Sequence, residues 1–340
     1  MSRRIAVLVV GAVLVVVFGV VGTVLPVPYV AQVPGPTFNT LGDIDGDPII
    51  TITGQEPNEV SGNLNLMTVG VSRGNLTLVD AVRGWFDSET VVVPRETVYP
   101  PGKTEEQTQE DNRNLFLTSE QMAESAALGE LGFPVKIVVQ QVVEGSPAEG
   151  QLEDGDAIDA VAGQPTGTFE ALQAVLAATP PGTQIPVQYT RLGVPGTVTV
   201  TTAAAEEGAG SRLGVQAIDM PSAPFDVSID VADVGGPSAG LMLTLGILDL
   251  VGPTDLTGGK VIAGTGTIDG TGAVGPIGGI QLKLVAAREI DAELFLVPAD
   301  NCAEALQAPQ PGIIMAKVAS LDDALQALSD FGAGRTPAGC

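Results

Sequence analysis

The feature that most constrains this chain is an uninterrupted apolar run near its N-terminus. Ile5 to Leu25 contains no charged side chain, and a helix needs about 20 such residues to cross a bilayer. Arg3 and Arg4 precede the run, and no Lys or Arg follows it before Arg73. This asymmetry predicts a single-pass protein of the cell membrane, with a cytoplasmic N-terminus and an extracytoplasmic remainder.

A cleaved signal peptide is the alternative interpretation of this run. The apolar region of such a peptide has about 7 to 15 residues. The run here is longer, and no A-x-A cleavage site follows closely. We therefore expect an uncleaved anchor.

Charge and composition exclude several classes of function. The chain has 15 basic and 40 acidic residues, a net charge of −25 that repels nucleic acid. It has no histidine, which excludes a Ser-His-Asp triad, a Cys-His pair and a His-ligated metal. Two cysteines, Cys302 and Cys340, are too few for a four-cysteine zinc site and either form one disulfide or stay unpaired. We expect no cofactor and no metal.

The segment between the anchor and residue 131 predicts strands and one helix. Alternating residues at 48–53 and 62–69 are typical of strands. The acidic, polar run from Pro100 to Arg113 predicts a solvated loop. Thr118 and Gln121 have the spacing of a capping box, which predicts that a helix begins there and runs to about Leu131.

A glycine-flanked serine lies where a predicted strand meets a predicted helix. Ser238 is in the turn GGPSAG, just before the apolar segment Leu241 to Leu250. Backbone N–H groups at a helix start have no partner in the helix, so those of Gly235, Gly236 and Ser238 are expected to stabilise an oxyanion. A serine there can equally be a helix N-cap, so a nucleophile also needs a base.

With histidine absent, that base must be a carboxylate or a lysine of lowered pKa. On the helix predicted after Gly279, helical periodicity places Lys283 on the same stripe as Ile280, Ala287 and Ile290. A buried lysine would suit the role. The alternative is that the stem packs while the ammonium reaches water.

The pattern of residues 131–205 predicts a compact module of strands, turns and one helix. The segment EGSPAEGQLEDGDAIDAVAGQPTGTFEALQAVLA resembles a PDZ domain of the bacterial, protease-associated type. PDZ domains add an extended peptide to a sheet edge and bind its terminal carboxylate. The resemblance implies that Leu131, Gly132 and Phe133 form the carboxylate-binding loop. Alternatively, the module is a spacer.

The C-terminal third resembles the proteolytic domain of the Lon family. The resemblance lies in DVGGPSAGLMLTLGILDL and in IAGTGTIDGTGAVGPIGGIQLKLVAAREIDAELFLVPADN. It implies that Ser238 is the nucleophile, that Lys283 is the general base, and that Thr265 hydrogen-bonds near the lysine. The family often has an acidic residue close before the serine turn, where this chain has glycines and its nearest acid is Asp233.

Together these features resemble the membrane-bound, PDZ-containing Lon-like proteases of bacteria. The implied fold is α+β, a Lon-type proteolytic domain with an inserted PDZ-like domain after one transmembrane helix. No G-x-x-x-x-G-K-[ST] nucleotide motif occurs. The implied function is ATP-independent cleavage of unfolded or extended polypeptides, with peptide termini at the PDZ module and self-association, since the family tends to form rings. An inactive, membrane-tethered peptide-binding adaptor is the alternative.

The predicted segments are the anchor (1–26), the first part of the protease (27–130), the PDZ-like module (131–205) and the catalytic part (206–340).

Overall fold

The computed structural model describes residues 3–72, 74–205, 210–231 and 234–340. Arg73 and Asp233 lie outside these ranges. The helices within them are α1 (Arg3–Val24), α2 (Leu78–Phe86), α3 (Glu105–Glu130), α4 (Phe169–Ala178), α5 (Gly240–Val251), α6 (Ile280–Glu289), α7 (Cys302–Ala305) and α8 (Leu321–Gly332), with 3-10 turns at Arg95–Thr97 and Ala299–Asn301.

A six-stranded sheet, the main sheet, organises the larger part of the chain. Its strands in spatial order are Ile314–Val318, Leu294–Pro298, Val261–Gly264, Asn63–Val71, Tyr29–Asn39 and Val91–Pro94. The first four run parallel, and Tyr29–Asn39 is antiparallel to both of its neighbours. Two-stranded pairs lie outside it: Asp43–Ile44 with Asp47–Pro48, Ile50–Thr53 with Asp226–Ile229, Thr267–Ile268 with Val274–Gly275, and Ala203–Ala204 with Ser211–Arg212.

Helices cover both faces of the main sheet, and the pleat of the strands explains why. Successive side chains of a strand point to opposite faces. Leu294 and Leu296 accordingly pack in the cluster that contains buried residues of α3, α5 and α8. Phe295 and Val297 pack in a second cluster, with α6 and α7. The strand Leu294–Pro298 is therefore buried on both faces, which explains why all of its residues are apolar.

Helix α3 begins earlier than predicted, which corrects the predicted loop at 100–113. Thr104 and Gln107 form the capping box that opens it, with reciprocal hydrogen bonds between side chain and backbone. Thr118 lies inside the helix, and its hydroxyl donates to the Asn114 carbonyl oxygen. The polar first half of α3 is similar to a loop in composition because few of its side chains are buried.

A second sheet, the module sheet, is built entirely from residues 135–221. Its strands in spatial order are Val194–Thr201, Gln184–Arg191, Ala157–Val161, Val135–Val142 and Val215–Pro221, and Gln164–Pro165 pairs with the third of them. Helix α4 packs on this sheet through Leu172. The chain enters and leaves side by side, since Ser222 N–H donates to the Pro134 carbonyl and the rings of Phe133 and Phe225 meet edge to face.

The module sheet extends beyond Ala205, the predicted end of the module. Val215–Pro221 pairs antiparallel with Val135–Val142 along its length. Alternation identifies a strand but does not identify its partner, so the sequence could not assign this strand to either sheet.

The apolar run forms one helix, as predicted. Helix α1 is long and apolar enough to cross a membrane, and side chains such as Val7 and Phe18 are exposed along it. At the other end of the chain, Cys302 and Cys340 form a disulfide, one of the two states that the sequence left open.

Candidate active site

Ser238 lies in a tight turn immediately before α5, at the edge of a cleft. Gly236 in this turn has a φ of +84°, which favours glycine. The N-cap of α5 is Ala239, and no described side chain caps the helix. The alternative interpretation of Ser238 as an N-cap is therefore not what the structure shows, and the hydroxyl is left for another partner.

That partner is Lys283 on α6. Lys283 Nζ lies 2.8 Å from Ser238 Oγ and 2.9 Å from Thr265 Oγ1. Gly279, with a φ of +71°, starts the helix, and a Cβ there would lie only 2.8 Å from Val69. This close approach sets α6 directly against the main sheet and carries the lysine into the interior.

Burial of Lys283 controls its charge. The side chain is 2% exposed, which excludes the alternative in which its ammonium reaches water. Removal from water disfavours the charged form and lowers the pKa of Lys283 to about 7. Near neutral pH, a large fraction of this amine is therefore uncharged.

Thr265 joins the lysine to the backbone of the serine. Its hydroxyl is fully buried, accepts from Lys283 Nζ and donates to the Ser238 carbonyl oxygen at 3.0 Å. Gly266 N–H donates to the same carbonyl oxygen. The structure thus brings together the three residues predicted as catalytic, and fixes the serine backbone by two hydrogen bonds.

The backbone donors differ from the prediction in one respect. Gly236 N–H donates to the carbonyl oxygen of Asn112 on α3 at 2.8 Å, so it is not free in this structure. Ser238 N–H, in contrast, has no acceptor among the described residues. Gly235 is exposed at the rim and packs against the Asn112 side chain. A main-chain acceptor more than a hundred residues away leaves no signal in the sequence.

Helix α3 holds the serine turn at a second point. Ser119 Oγ donates to the Pro237 carbonyl oxygen. The sequence predicts a helix at Ser119 but no function for it. No local pattern identifies this residue, because its partner comes from residue 237, beyond the module sheet in the chain.

The cleft beside Ser238 has a volume of about 640 Å³. One wall is the strand segment Met67–Gly70, and apolar side chains such as Phe38 and Val234 contribute to the rest. Among the described residues, Lys283 is the only ionisable one that lines it. A smaller pocket of about 320 Å³ adjoins Ser238 on the side of Ile277.

The structure does not support Leu131, Gly132 and Phe133 as a peptide-binding loop, which corrects the prediction. The strand that follows them, Val135–Val142, is already paired on both edges. A peptide can be added only to a free edge. The free edge beside α4 belongs to Val215–Pro221, which Leu213 and Gly214 precede. The order of strands in the sheet identifies this free edge, whereas the local sequence does not.

Comparisons with known proteins find two kinds of domain in the chain. Residues 227–328 match the model of the Lon protease (S16) C-terminal proteolytic domain, and residues 107–202 match the model of the PDZ domain. The chain therefore carries a proteolytic domain of a serine protease family. Its combination of domains matches a PDZ-containing, Lon-like protease, which confirms the predicted family resemblance and the predicted α+β fold class. The bounds of the PDZ match differ from those of the module sheet, because the match begins within α3 and ends before Val215–Pro221.

Solved structures of PDZ domains are similar over a quarter of the chain. The PDZ domain of the SdrC-like protein of Listeria monocytogenes is 16% identical, with 24% of this chain and 87% of that chain covered and a TM-score of 0.23. The corresponding domain of Listeria innocua is 20% identical, with 24% and 92% covered and a TM-score of 0.23. No curated protein matches the sequence.

Proposed function

We propose that this chain is an ATP-independent, membrane-anchored serine endopeptidase that cleaves unfolded or extended polypeptides with a Ser238–Lys283 dyad. The observation that carries the proposal is the 2.8 Å separation of Lys283 Nζ from Ser238 Oγ at a lysine that is 2% exposed. A buried amine of lowered pKa beside a hydroxyl is a recognised way to activate that hydroxyl.

The proposed reaction begins with neutral Lys283. Its amine accepts the proton of the Ser238 hydroxyl while Oγ attacks the carbonyl carbon of the scissile peptide bond. Lys283 then returns the proton to the leaving amine, and an acyl-enzyme remains. Lys283 then takes a proton from a water molecule, which attacks the carbonyl carbon of the ester. The bond to Ser238 Oγ breaks, Lys283 returns the proton to Oγ, and the second product leaves as a carboxylic acid. Thr265 is a positioning residue, because its hydroxyl orients the lysine.

The attack places a negative charge on the oxygen of the scissile carbonyl group. Hydrogen-bond donors at the turn that contains Ser238 are needed to stabilise this charge. Ser238 N–H is the free donor, and the N-terminus of α5 contributes the positive end of its dipole. Gly236 N–H can join them only after it leaves the Asn112 carbonyl. We propose that substrate binding causes this exchange, and that Gly235 moves with it.

The main sheet supports an extended substrate. Asn63–Val71 pairs with Val261–Gly264 only from Asn63 to Leu66. On that side, no described strand pairs with Met67–Val71, although these residues approach the cleft. A polypeptide that adds to this open edge would present its backbone to Ser238, and a folded protein could not do so.

The PDZ domain supports recognition of peptide ends. Val215–Pro221 offers a free edge next to α4, and apolar side chains such as Val175 and Leu176 pack at this part of the module. We propose that a peptide terminus binds there, with the Leu213–Gly214 segment at its carboxylate.

The proposed location is the cell membrane. Helix α1 is apolar and exposed enough to be the single span, and Arg3 and Arg4 before it support a cytoplasmic N-terminus and an extracytoplasmic catalytic domain. Self-association of the anchored chain, as in ring-forming relatives of the Lon family, is part of this proposal.

Substitution of either dyad residue tests the proposal. Ser238→Ala, Lys283→Ala and Lys283→Arg should each abolish cleavage of an unfolded protein, the last because a guanidinium stays charged. Ser228→Ala and Lys317→Ala, at exposed positions, are matched controls that should retain activity. A serine-directed covalent probe should label the wild type and not Ser238→Ala.

The inactive adaptor gives the opposite result. It would bind peptide without labelling or cleavage, even in the wild type. Full cleavage by Ser238→Ala or Lys283→Ala, with circular dichroism that matches the wild type, would refute the dyad.

A further inference from the structure

Helix α2 has an apolar face that the rest of the described chain leaves largely exposed. Leu78, Val82, Trp85 and Phe86 are 41%, 39%, 57% and 88% exposed. At 100° per residue, these four positions share an arc of roughly 100° on one side of the helix. They form one continuous face, named here the α2 apolar face.

This face is additional to the one that holds α2 to the domain. The helix packs inward through Ala81 and Gly84, where a Cβ on Gly84 would lie 2.5 Å from Val92. The core contact is therefore complete without the α2 apolar face. Asp80 and Arg83 lie on a third side and are exposed.

Helix α2 is joined directly to the end of α1. Leu78 N–H donates to the Leu25 carbonyl, and Val27 N–H donates to the Leu76 carbonyl. The side chain of Val79 comes within 3.2 Å of a Cβ built on Gly22. The α2 apolar face is thus continuous with the exposed apolar surface of α1.

The length of α1 sets the depth of this junction. Its 22 residues span about 33 Å, and the hydrocarbon core of a bilayer is about 30 Å thick. If α1 spans the membrane, α2 begins at the boundary between hydrocarbon and headgroups on the C-terminal side.

The side chains at this depth suit that boundary. Trp85 and Tyr29 contact each other edge to face, with ring centroids 6.0 Å apart. Tryptophan and tyrosine are enriched at the membrane interface because their rings are apolar and their polar ends reach water. On the polar side of the helix, the exposed Arg83 side chain lies 4.0 Å from the Asp80 carboxylate.

We propose that α2 is an interfacial helix, with its apolar face inserted into the leaflet into which the C-terminal end of α1 emerges. The inference rests on the proposed transmembrane anchor. A second attachment point would prevent rotation of the catalytic domain about α1. It would also hold Tyr29–Asn39, a strand that lines the cleft with Gln32 and Phe38, at one height above the membrane.

The sole tryptophan of the chain is Trp85, so its fluorescence reports on this face alone. The full chain would be reconstituted into phosphatidylcholine vesicles whose acyl chains are brominated at a shallow or a deep position. We expect strong quenching by the shallow bromines, weaker quenching by the deep ones, and little quenching by aqueous acrylamide.

Two variants that retain Trp85 test whether the α2 apolar face causes this quenching pattern. Val82→Ser with Phe86→Ser should reduce quenching by the shallow bromines and increase quenching by acrylamide. Val194→Ser is the matched control, since this valine is 67% exposed in the module, and it should match the wild type. Flotation of each variant with the vesicles reports separately on α1.

The outcomes distinguish a failure of the interfacial helix from a failure of the transmembrane anchor. Flotation with Trp85 quenched only by acrylamide would overturn the interfacial helix while the anchor stands. Trp85 shielded from both quenchers, with the shielding lost when the protein is diluted in lipid, would overturn it in favour of a second copy of the chain. Failure to float would overturn both.

Discussion

Lys283 shows how the surroundings of a side chain control its charge. An exposed lysine is protonated at neutral pH and cannot act as a base. Here burial alone lowers the pKa to about 7, and two hydroxyl groups, rather than a carboxylate, lie within hydrogen-bond distance. A nearby carboxylate would favour the charged form and reverse this effect.

The pH dependence of cleavage follows from this pKa. The cleavage rate should rise as the pH increases through about 7 and level off above it, because only the neutral amine accepts the Ser238 proton. Burial also raises the pKa of Glu124 to about 7, so Glu124→Gln is the control and should leave the midpoint unchanged. A rate that falls as the pH rises through 7 would contradict the role of Lys283 as base.

At the scale of elements, α3 is the link between the module and the serine turn. It runs from the capping box at Thr104 to the start of the module sheet. It also contacts the serine turn through the Asn112 carbonyl and the Ser119 hydroxyl. A displacement of this helix would therefore change the position of Ser238.

Loss of the hydrogen bond from Ser119 should have a larger effect on kcat than on Tm. A hydrogen bond of this kind contributes about 1 kcal/mol, and its loss in Ser119→Ala should lower kcat about fivefold. Thr118→Ala removes a neighbouring hydroxyl that bonds only within α3 and should have no effect on kcat. Steady-state kinetics on an unfolded substrate, with Tm measured in parallel, checks the prediction. Equal kcat values for both variants would exclude a positioning role.

The free edge beside α4 leads to a separate prediction about peptide binding. Val175 lies on α4, the helix that contacts this edge strand, and is half-buried against the module core. Val175→Glu should weaken binding of a peptide with a free C-terminus about tenfold. A bound peptide would complete the burial of this valine, which contributes up to about 1.5 kcal/mol, and the added carboxylate repels the peptide terminus. Val194→Glu, on the exposed hairpin, is the control.

Fluorescence anisotropy with free and amidated peptides provides the measurement. The amidated peptide should bind the wild type more weakly, and Val194→Glu should match the wild type with both peptides. Unchanged affinity in Val175→Glu would place peptide binding elsewhere.

For the whole molecule, the chain ends are held by different means. The N-terminal part is proposed to be attached to the membrane through α1 and α2. The C-terminus is attached to the domain by the disulfide between Cys302 and Cys340 and by the hydrogen bond from Lys317 N–H to the Ala338 carbonyl. The module lies between them, inserted where the chain enters and leaves side by side.

Removal of the disulfide should lower stability without removing the dyad. A crosslink over a separation of 38 residues contributes roughly 3 to 4 kcal/mol by restricting the unfolded chain. The double variant Cys302→Ser, Cys340→Ser should therefore have a lower Tm but still cleave at low temperature. Thermal unfolding of the wild type with and without reductant is the control, and the reduced wild type should match the variant. An unchanged Tm would show that the crosslink contributes little.

Features that depend on neighbours along the chain could be predicted from the sequence. Helix α1 follows from continuous apolarity, and the turn before α5 follows from glycines beside a helix start. The position of Lys283 on an apolar stripe follows from the helical period. The absence of histidine limits the base to a lysine or a carboxylate.

Features that depend on distant partners required the tertiary structure. The Gly236 N–H bond to Asn112, the pairing of Val215–Pro221 in the module sheet, and the covered edges of Val135–Val142 each join segments far apart in the chain. A backbone hydrogen bond can be made by any residue type except proline as donor, so residue identity does not specify its partner. The same holds for Lys283: the sequence placed it on an apolar face, and the packing of α6 against the main sheet removed it from water.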